Sequence, residues 1–203
     1  MDRPRTVTPA LDFDPQLLLA AQAVRAAIFD VDGVLTDGRI YIGAAGEEIK
    51  AFSTLDGHGL KLLARVGIAT LVISGRDSAA LRRRVCDLGI VHASFGAADK
   101  LAAASDLLQQ LGLSWAQCAA MGDDWPDLPL LRRAAFACAP PGAHAEVKAV
   151  CTYTTRTSAG FGAAREFCDL LLVASGRYAE LLEEHAETLD RSGRDAAWTA
   201  SSS

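Results

Sequence analysis

Residues 26–38 read Ala26-Ala27-Ile28-Phe29-Asp30-Val31-Asp32-Gly33-Val34-Leu35-Thr36-Asp37-Gly38. Four apolar residues, Ala26 to Phe29, predict a short buried strand that runs into two carboxylates spaced two apart and then a glycine turn. Side chains alternate along a strand, so Asp30 and Asp32 are expected on one side and Val31 on the other. Two acids at the C-terminal end of a strand are costly unless a cation or a reaction uses them. That end is also where open α/β sheets bind their ligands.

The string D-x-D-G-V-L-T-D-G resembles the nucleophile motif of phosphatases of the haloacid dehalogenase superfamily. Such a site needs three further elements, in order, each at a strand end or a helix start. The rest of the chain supplies candidates. A helix is expected from Pro15 through Val24. After the acidic turn, Arg39 to Gly43 and Glu47 to Phe52 flank a Gly/Ala turn and read as a hairpin at about 39–54. The hairpin is too small for a lid domain. It carries Tyr41, Ile42 and Phe52, which suggests pairing with another subunit.

Asp56-Gly57-His58-Gly59 is read as the end of the hairpin region and the opening of a helix with Leu60, Leu63 and Ala64 inward. Ile68 to Ile73 is a continuous apolar strand, the mark of a sheet buried on both faces. It ends in Ser74-Gly75-Arg76-Asp77. A helix with Leu81, Val85 and Leu88 follows, then a strand from Ile90 to Phe95. Asp99 then caps a helix that opens with Lys100. Cys118 to Met121 predicts a strand ending in Gly122-Asp123-Asp124-Trp125-Pro126-Asp127. A short helix (128–133), a strand (136–139), a helix (143–150), a last strand (151–155) and helices at 163–174 and 177–185 complete the pattern. Strands alternate with helices, so the fold class is α/β, a doubly wound and mainly parallel sheet without a cap domain. One domain is expected over 15–185, with loose ends at 1–14 and 186–203.

The 203 residues suffice for one packed core, and half are hydrophobic, yet no apolar run reaches the length of a membrane span. No charged segment followed by an apolar stretch marks a secretory signal near the N-terminus. The five cysteines are scattered and most of them read as core thiols, which suits a cytoplasmic, reducing compartment. A net charge of −5 argues against nucleic acid. Arg82-Arg83-Arg84 reads as a solvated helix face.

Four polar positions fall at strand ends or helix starts: Asp30/Asp32, Ser74, Lys100 and Asp123/Asp127. Attack by a carboxylate on a phosphate monoester brings like charges together. At about 4 Å and an effective dielectric near 20, each such pair opposes approach by roughly 4 kcal/mol. Cations and donors must offset this. Asp30 reads as the nucleophile of an aspartyl-phosphate, and Asp32 as the acid that protonates the leaving oxygen and later activates water. Ser74, with the turn N–H groups at Gly75, would hold a phosphoryl oxygen, and Lys100 would bring positive charge. Asp30, Asp123 and the Asp32 backbone carbonyl would ligate Mg²⁺, with Asp127 acting through water or by orienting Lys100. Taken singly, Ser74 reads as a turn residue, Lys100 as a solvent-facing first-turn residue, Asp127 as a helix cap and His58 as a turn residue. Together and in this order they read as a site.

Within the superfamily, residues 24–182 resemble the 3-deoxy-D-manno-octulosonate 8-phosphate phosphatases. The strings that carry this are Asp30 to Gly38, Gly46-Glu47-Glu48-Ile49-Lys50-Ala51-Phe52, Asp56 to Gly59, Ile73 to Arg76, Gly122 to Asp127, and Gly162-Ala163-Ala164-Arg165-Glu166-Phe167-Cys168-Asp169-Leu170-Leu171. The resemblance implies a capless phosphatase of lipopolysaccharide precursor synthesis, working as a homotetramer whose hairpins meet centrally. It also implies that Arg76 faces the substrate carboxylate, against the alternative of a salt bridge to a helix acid. Where such members read Gly-Gly-Arg-Gly-Ala, this chain has Ala159-Gly160-Phe161-Gly162-Ala163. That departure leaves a nine-carbon ulosonate 9-phosphate as an alternative substrate. A silent oligomerising domain supporting a sugar-nucleotide synthetase, and a mutase, are the other readings. The clustered acids oppose the first, and the lack of a cap opposes the second.

Overall fold

The protein is described by a computed structural model over residues 6–187, without the side chains of residues 47 and 48. Beyond residue 187, the segment expected to be loose lies outside the described residues, as do residues 1–5. Residues 6–14 carry no regular secondary structure. Phe13 nevertheless packs on the core and meets Tyr153 edge-on, ring centroids 6.4 Å apart.

Six parallel strands form the main sheet: β1 (Ala26–Phe29), β4 (Ala69–Ser74), β5 (His92–Phe95), β6 (Cys118–Met121), β7 (Phe136–Ala139) and β8 (Tyr153–Thr154), in the order β5-β4-β1-β6-β7-β8. The strand order reverses beside β1, so the first strand is central and its C-terminal end opens on a crevice. The register sets Phe29 opposite Val72 of β4 and Met121 of β6. Ser74 in turn lies opposite Phe95. The residues just after β1, β4, β5 and β6 therefore converge on one edge.

Strand alternation builds two cores. Ala27, Phe29, Val72, Met121, Phe136 and Cys138 face α1 (Pro15–Ala21), α2 (Thr54–Arg65), α3 (Ala79–Asp87) and α7 (Ala163–Ala174). Ala26, Ile28, Leu71, Ile73, Cys118 and Ala120 face α4 (Lys100–Gln110), α5 (Leu128–Leu131) and α6 (Ala145–Val150). Burying each large side chain such as Phe29 or Phe167 contributes about 1.5–3 kcal/mol. Separately, β2 (Tyr41–Gly43) and β3 (Gly46–Ile49) pair antiparallel as a two-stranded sheet. Residues 178–187 are helical. No helix among the described residues is long and apolar enough to cross a membrane.

Several local expectations are corrected. The helix expected to open at Asp56-Gly57-His58-Gly59 starts earlier, at Thr54, because the Ser53 hydroxyl accepts from the Asp56 N–H and caps it. Gly57 and Gly59 are points of close contact inside this helix. A Cβ on Gly57 would meet Arg84 Nη2 at 2.3 Å, and one on Gly59 would meet Cys168 Cβ at 3.0 Å. In the same helix Leu62, not Ala64, is buried beside Leu60 and Leu63. Phe52 is half-buried, under the Arg84 guanidinium. Arg84 thereby leaves the solvated face that Arg82 and Arg83 occupy, and donates to the Ser53 carbonyl at 3.0 Å.

Candidate active site

The chain leaves the strand conformation at Asp30. Val34, Leu35 and Thr36 all donate backbone N–H groups to the Val31 carbonyl, which closes a tight turn. Strand alternation therefore stops at Phe29, and the two acids of the motif meet different partners. Asp30 accepts from Lys100 Nζ at 2.7 Å, and Asp32 accepts from Lys50 Nζ at 2.5 Å.

Lys100, the first residue of α4, is set there by Asp99, whose carboxylate caps the helix at the Ala102 N–H. Its ammonium donates to Asp30 Oδ1 and Asp127 Oδ1, each at 2.7 Å, with all three groups buried. Burial pulls the ammonium toward neutrality. The two carboxylates outweigh it and raise its pKa. Asp127 Oδ2 accepts from the backbone N–H groups of Asp123 and Asp124 at 3.1 and 3.4 Å. Asp127 thus ties the lysine to the loop after β6. A single turn of 3-10 helix, Trp125–Asp127, carries it there.

Asp30, Asp123 and Asp127 each present a carboxylate oxygen, all within 4.8 Å of one another. Burial first, then the charge of Asp127, raises Asp30 to about 6. Burial, then the charges of Asp30 and Asp127, raises Asp123 to about 8. One lysine among three acids, two buried and Asp123 partly so, leaves the cluster short of positive charge, a donor set of hard oxygens that fits a divalent cation. Gly33 completes the wall. Its φ of +89° is the left-handed region, and a Cβ there would stand 2.0 Å from Asp123 Oδ2. The peptide that carries the Asp32 carbonyl consequently runs alongside that carboxylate.

Ser74 ends β4, almost fully buried, and its Oγ accepts from the Arg76 N–H at 3.1 Å. Gly75 follows, exposed, with Lys100 Cε 4.0 Å from where its Cβ would be. Arg76 Nε stands 3.8 Å from Asp32 Oδ2, with its side chain about half exposed. The Ala97 N–H donates to the Ser74 carbonyl, and that of Gly96 to Arg76, which knits the loops after β4 and β5 together. Asp30, Asp32, Ser74, Arg76, Lys100, Asp123 and Asp127 thus gather at one end of the sheet. His58 takes no part in these contacts; it is exposed on α2, ring to ring with His185 at 5.4 Å.

Two residues escaped the sequence reading. Lys50 was quoted only within a string, yet its buried ammonium lies on Asp32. Asp56, read only as part of a helix opening, reaches α7, where its Oδ1 accepts from the Arg165 N–H at 2.7 Å. A lysine beside the apolar residues of the hairpin was the only advance signal for the first.

Comparison with known proteins identifies the family of the chain. Residues 87–167 match the profile of haloacid dehalogenase-like hydrolases. The 3-deoxy-D-manno-octulosonate 8-phosphate phosphatase of Salmonella typhimurium is 40% identical over 166 residues, covering 82% of this chain and 88% of that protein. The same phosphatase from Moraxella catarrhalis, crystallised with magnesium, phosphate and KDO, superposes with a TM-score of 0.81 at 38% identity over 84% of this chain and 98% of that one. A cobalt-bound deoxy-D-mannose-octulosonate 8-phosphate phosphatase from Haemophilus influenzae gives 0.77 at 41% identity, covering 78% and 93%. With identity of this order across most of both chains, the protein belongs to the haloacid dehalogenase-like hydrolases, in the 3-deoxy-D-manno-octulosonate 8-phosphate phosphatase family.

Proposed function

We propose that the protein is a Mg²⁺-dependent phosphoric monoester hydrolase that converts 3-deoxy-D-manno-octulosonate 8-phosphate to 3-deoxy-D-manno-octulosonate and phosphate, in lipopolysaccharide precursor synthesis. The observation that carries this is the bridge from Lys100 Nζ to Asp30 and Asp127 at 2.7 Å beside Asp123. It pairs a buried carboxylate with a cation at the point where a dianionic phosphate must approach.

In this reading Asp30 attacks phosphorus and carries the phosphoryl group as an aspartyl-phosphate. Lys100 offsets the charge that attack brings together and keeps the Asp30 carboxylate in place. Ser74 and the Gly75 N–H bind phosphoryl oxygens. Asp32 donates a proton to the leaving sugar oxygen and then takes one from the attacking water. Asp30, Asp123 and the Asp32 carbonyl would hold Mg²⁺, with Asp127 acting through water or by orienting Lys100; when bound, the ion would supply Lewis-acid stabilisation of phosphoryl charge. Arg76 offers a planar guanidinium to the substrate carboxylate.

We further read residues 15–185 as a single domain that assembles into a homotetramer in the cytoplasm. The hairpin supports this by exposing Tyr41, Ile42 and Ile49. One observation favours a second substrate, a nine-carbon ulosonate 9-phosphate: Phe161 is 68% exposed where arginine is the family pattern. Phosphate release measured with Mg²⁺ and with chelator, on both keto-acid phosphates and a simple sugar phosphate, tests the proposal. Release from the eight-carbon substrate that needs Mg²⁺ and disappears in Asp30→Asn is expected. Release that persists in Asp30→Asn overturns the mechanism, and preference for the nine-carbon ester overturns the substrate.

A further inference from the structure

Lys50 directly follows β3, so its backbone belongs to the hairpin while its ammonium belongs to the catalytic edge. The side chain is 1% exposed and donates to Asp32 Oδ1 at 2.5 Å. Removing an ammonium this completely from water is costly, and the cost is offset only where a carboxylate receives it. Thr36 Oγ1 approaches the same oxygen at 3.5 Å. The other oxygen, Asp32 Oδ2, is buried and has no hydrogen-bond partner among the described residues, and Arg76 Nε is 3.8 Å away, beyond hydrogen-bonding reach. The two oxygens of one carboxyl group are therefore unequal: one is occupied by a donor, the other is kept for something else.

We propose that Lys50 is a positioning residue for the general acid. By occupying Oδ1 it locks the orientation of the Asp32 carboxyl and directs the transferable proton to Oδ2. The proposal rests on the phosphatase reading above. In the first half-reaction the Oδ2–H bond breaks as the proton passes to the ester oxygen. The bond from that oxygen to phosphorus breaks while Asp30 forms its own bond to phosphorus. In the second, Oδ2 takes a proton from the water that attacks phosphorus, the Asp30–phosphoryl bond breaks, and phosphate leaves. Lys50 keeps its protons throughout. Because Lys50 is anchored one residue beyond β3, the seating of the hairpin sets the aim of the acid.

A leaving-group series tests this. Aryl phosphates carry no carboxylate and no sugar, so changes in sugar recognition do not enter. Dinitrophenolate departs without a proton, whereas phenolate needs one. With the full chain and Mg²⁺, Lys50→Met is expected to lower kcat/KM about 10–100-fold for phenyl phosphate and less than about threefold for dinitrophenyl phosphate. Asp32→Asn should show the same gradient, and Lys50→Arg should restore most of the loss. Added to Asp32→Asn, Lys50→Met should cost less than about threefold more, because the two act as a unit. Equal loss across the series overturns the proposal, as does a loss confined to the keto-acid phosphate, which would make Lys50 a substrate ligand. Should Lys50→Met fail to fold, Lys50→Gln and Lys50→Arg are read against the same gradient. A wild-type protein that releases phosphate from no ester overturns the phosphatase reading, and the proposal with it. A uniform loss in an active wild-type background overturns the proposal alone.

Discussion

Asp56 of α2 caps α7, with its Oδ1 accepting from the Arg165 N–H at 2.7 Å across 109 positions of sequence. The residue before α7 is Gly162, which has no side chain to offer. The helix therefore borrows its cap from a neighbour, and α2 and α7 are locked where Gly59 brings them together. The same carboxylate leaves Oδ2 buried without a hydrogen-bond partner among the described residues.

Asp56→Ala should lower the thermal midpoint by the equivalent of about 1–2 kcal/mol, the usual range for a lost cap. Asp56→Asn has a pH signature. Burial raises the Asp56 pKa above 3.8, although the N–H groups of Arg165, Gly162 and Ala164 oppose the rise. Its contribution is full below 3.8 and declines as pH rises through the raised folded value. The asparagine variant should gain on the wild type as pH climbs through that window, as read by thermal unfolding. A difference that does not change with pH would count against a burial penalty on the ionised carboxylate.

Glu166 behaves in the opposite sense. It accepts from the Tyr153 hydroxyl at 2.6 Å, the N–H groups of Arg156 and Thr157 at 2.8 and 2.9 Å, and the Thr157 hydroxyl at 2.6 Å. Burial alone would raise its pKa. These hydrogen bonds outweigh burial and hold it below 4.5. Its stabilisation is present above pH 4.5 and is lost as pH falls through the lowered value. Glu166→Gln should therefore unfold at a lower temperature than wild type at neutral pH, and the gap should close in acid. Equal gaps at both pH values would sink this account.

These two contacts also mark what could be read without coordinates. Strands β1, β4, β6 and β7 were legible because a sheet buried on both faces needs unbroken apolar runs, and Cys118–Met121 and Phe136–Ala139 fall where expected. The clustering of Asp30, Lys100 and Asp127 was legible because each follows a strand end, and parallel topology sends all such ends to one edge. Asp56 and Lys50 were not. Their partners lie 109 and 18 positions away, and no local pattern announces a cap or a carboxylate ligand supplied across the fold. Gly57 and Gly59 were likewise read only as part of a helix opening, whereas close contact with Arg84 and with Cys168 is what requires them.

Phe161 offers a test of substrate contact. The Gly160 N–H donates to the Val34 carbonyl at 3.3 Å, and a Cβ on Gly160 would stand 2.6 Å from the Asp37 nitrogen. The loop carrying Phe161 thus lies on the turn that follows Asp32. An arginine at 161 adds a cation near an anionic substrate without touching Asp30 or Asp32. Phe161→Arg should lower KM for the eight-carbon keto-acid phosphate about threefold or more while kcat moves little, the pattern of added ground-state binding. Steady-state kinetics decide it. An unchanged KM would leave this loop outside substrate recognition.

Asp123 separates stability from activity most sharply. Burial and the charges of Asp30 and Asp127 raise it to about 8, so its ionised form strains the fold when no cation is bound. Its favourable contribution is full below 3.8 and is lost as pH rises through about 8. In chelator at pH 8, Asp123→Asn should therefore unfold at a higher temperature than the wild type. Mg²⁺ should reverse the order. A ligand at about 100 times its Kd stabilises the native state by about 2.7 kcal/mol, and the wild type should gain this while the variant, short of one hard oxygen donor, should not. Phosphate release should fall about 100-fold or more, because the ion no longer offsets the charge on the phosphoryl group. Thermal scans with and without Mg²⁺ read both halves. A lower midpoint for the variant in chelator would refute the repulsion among the acids, and a Mg²⁺ shift equal to that of the wild type would remove Asp123 from the metal site.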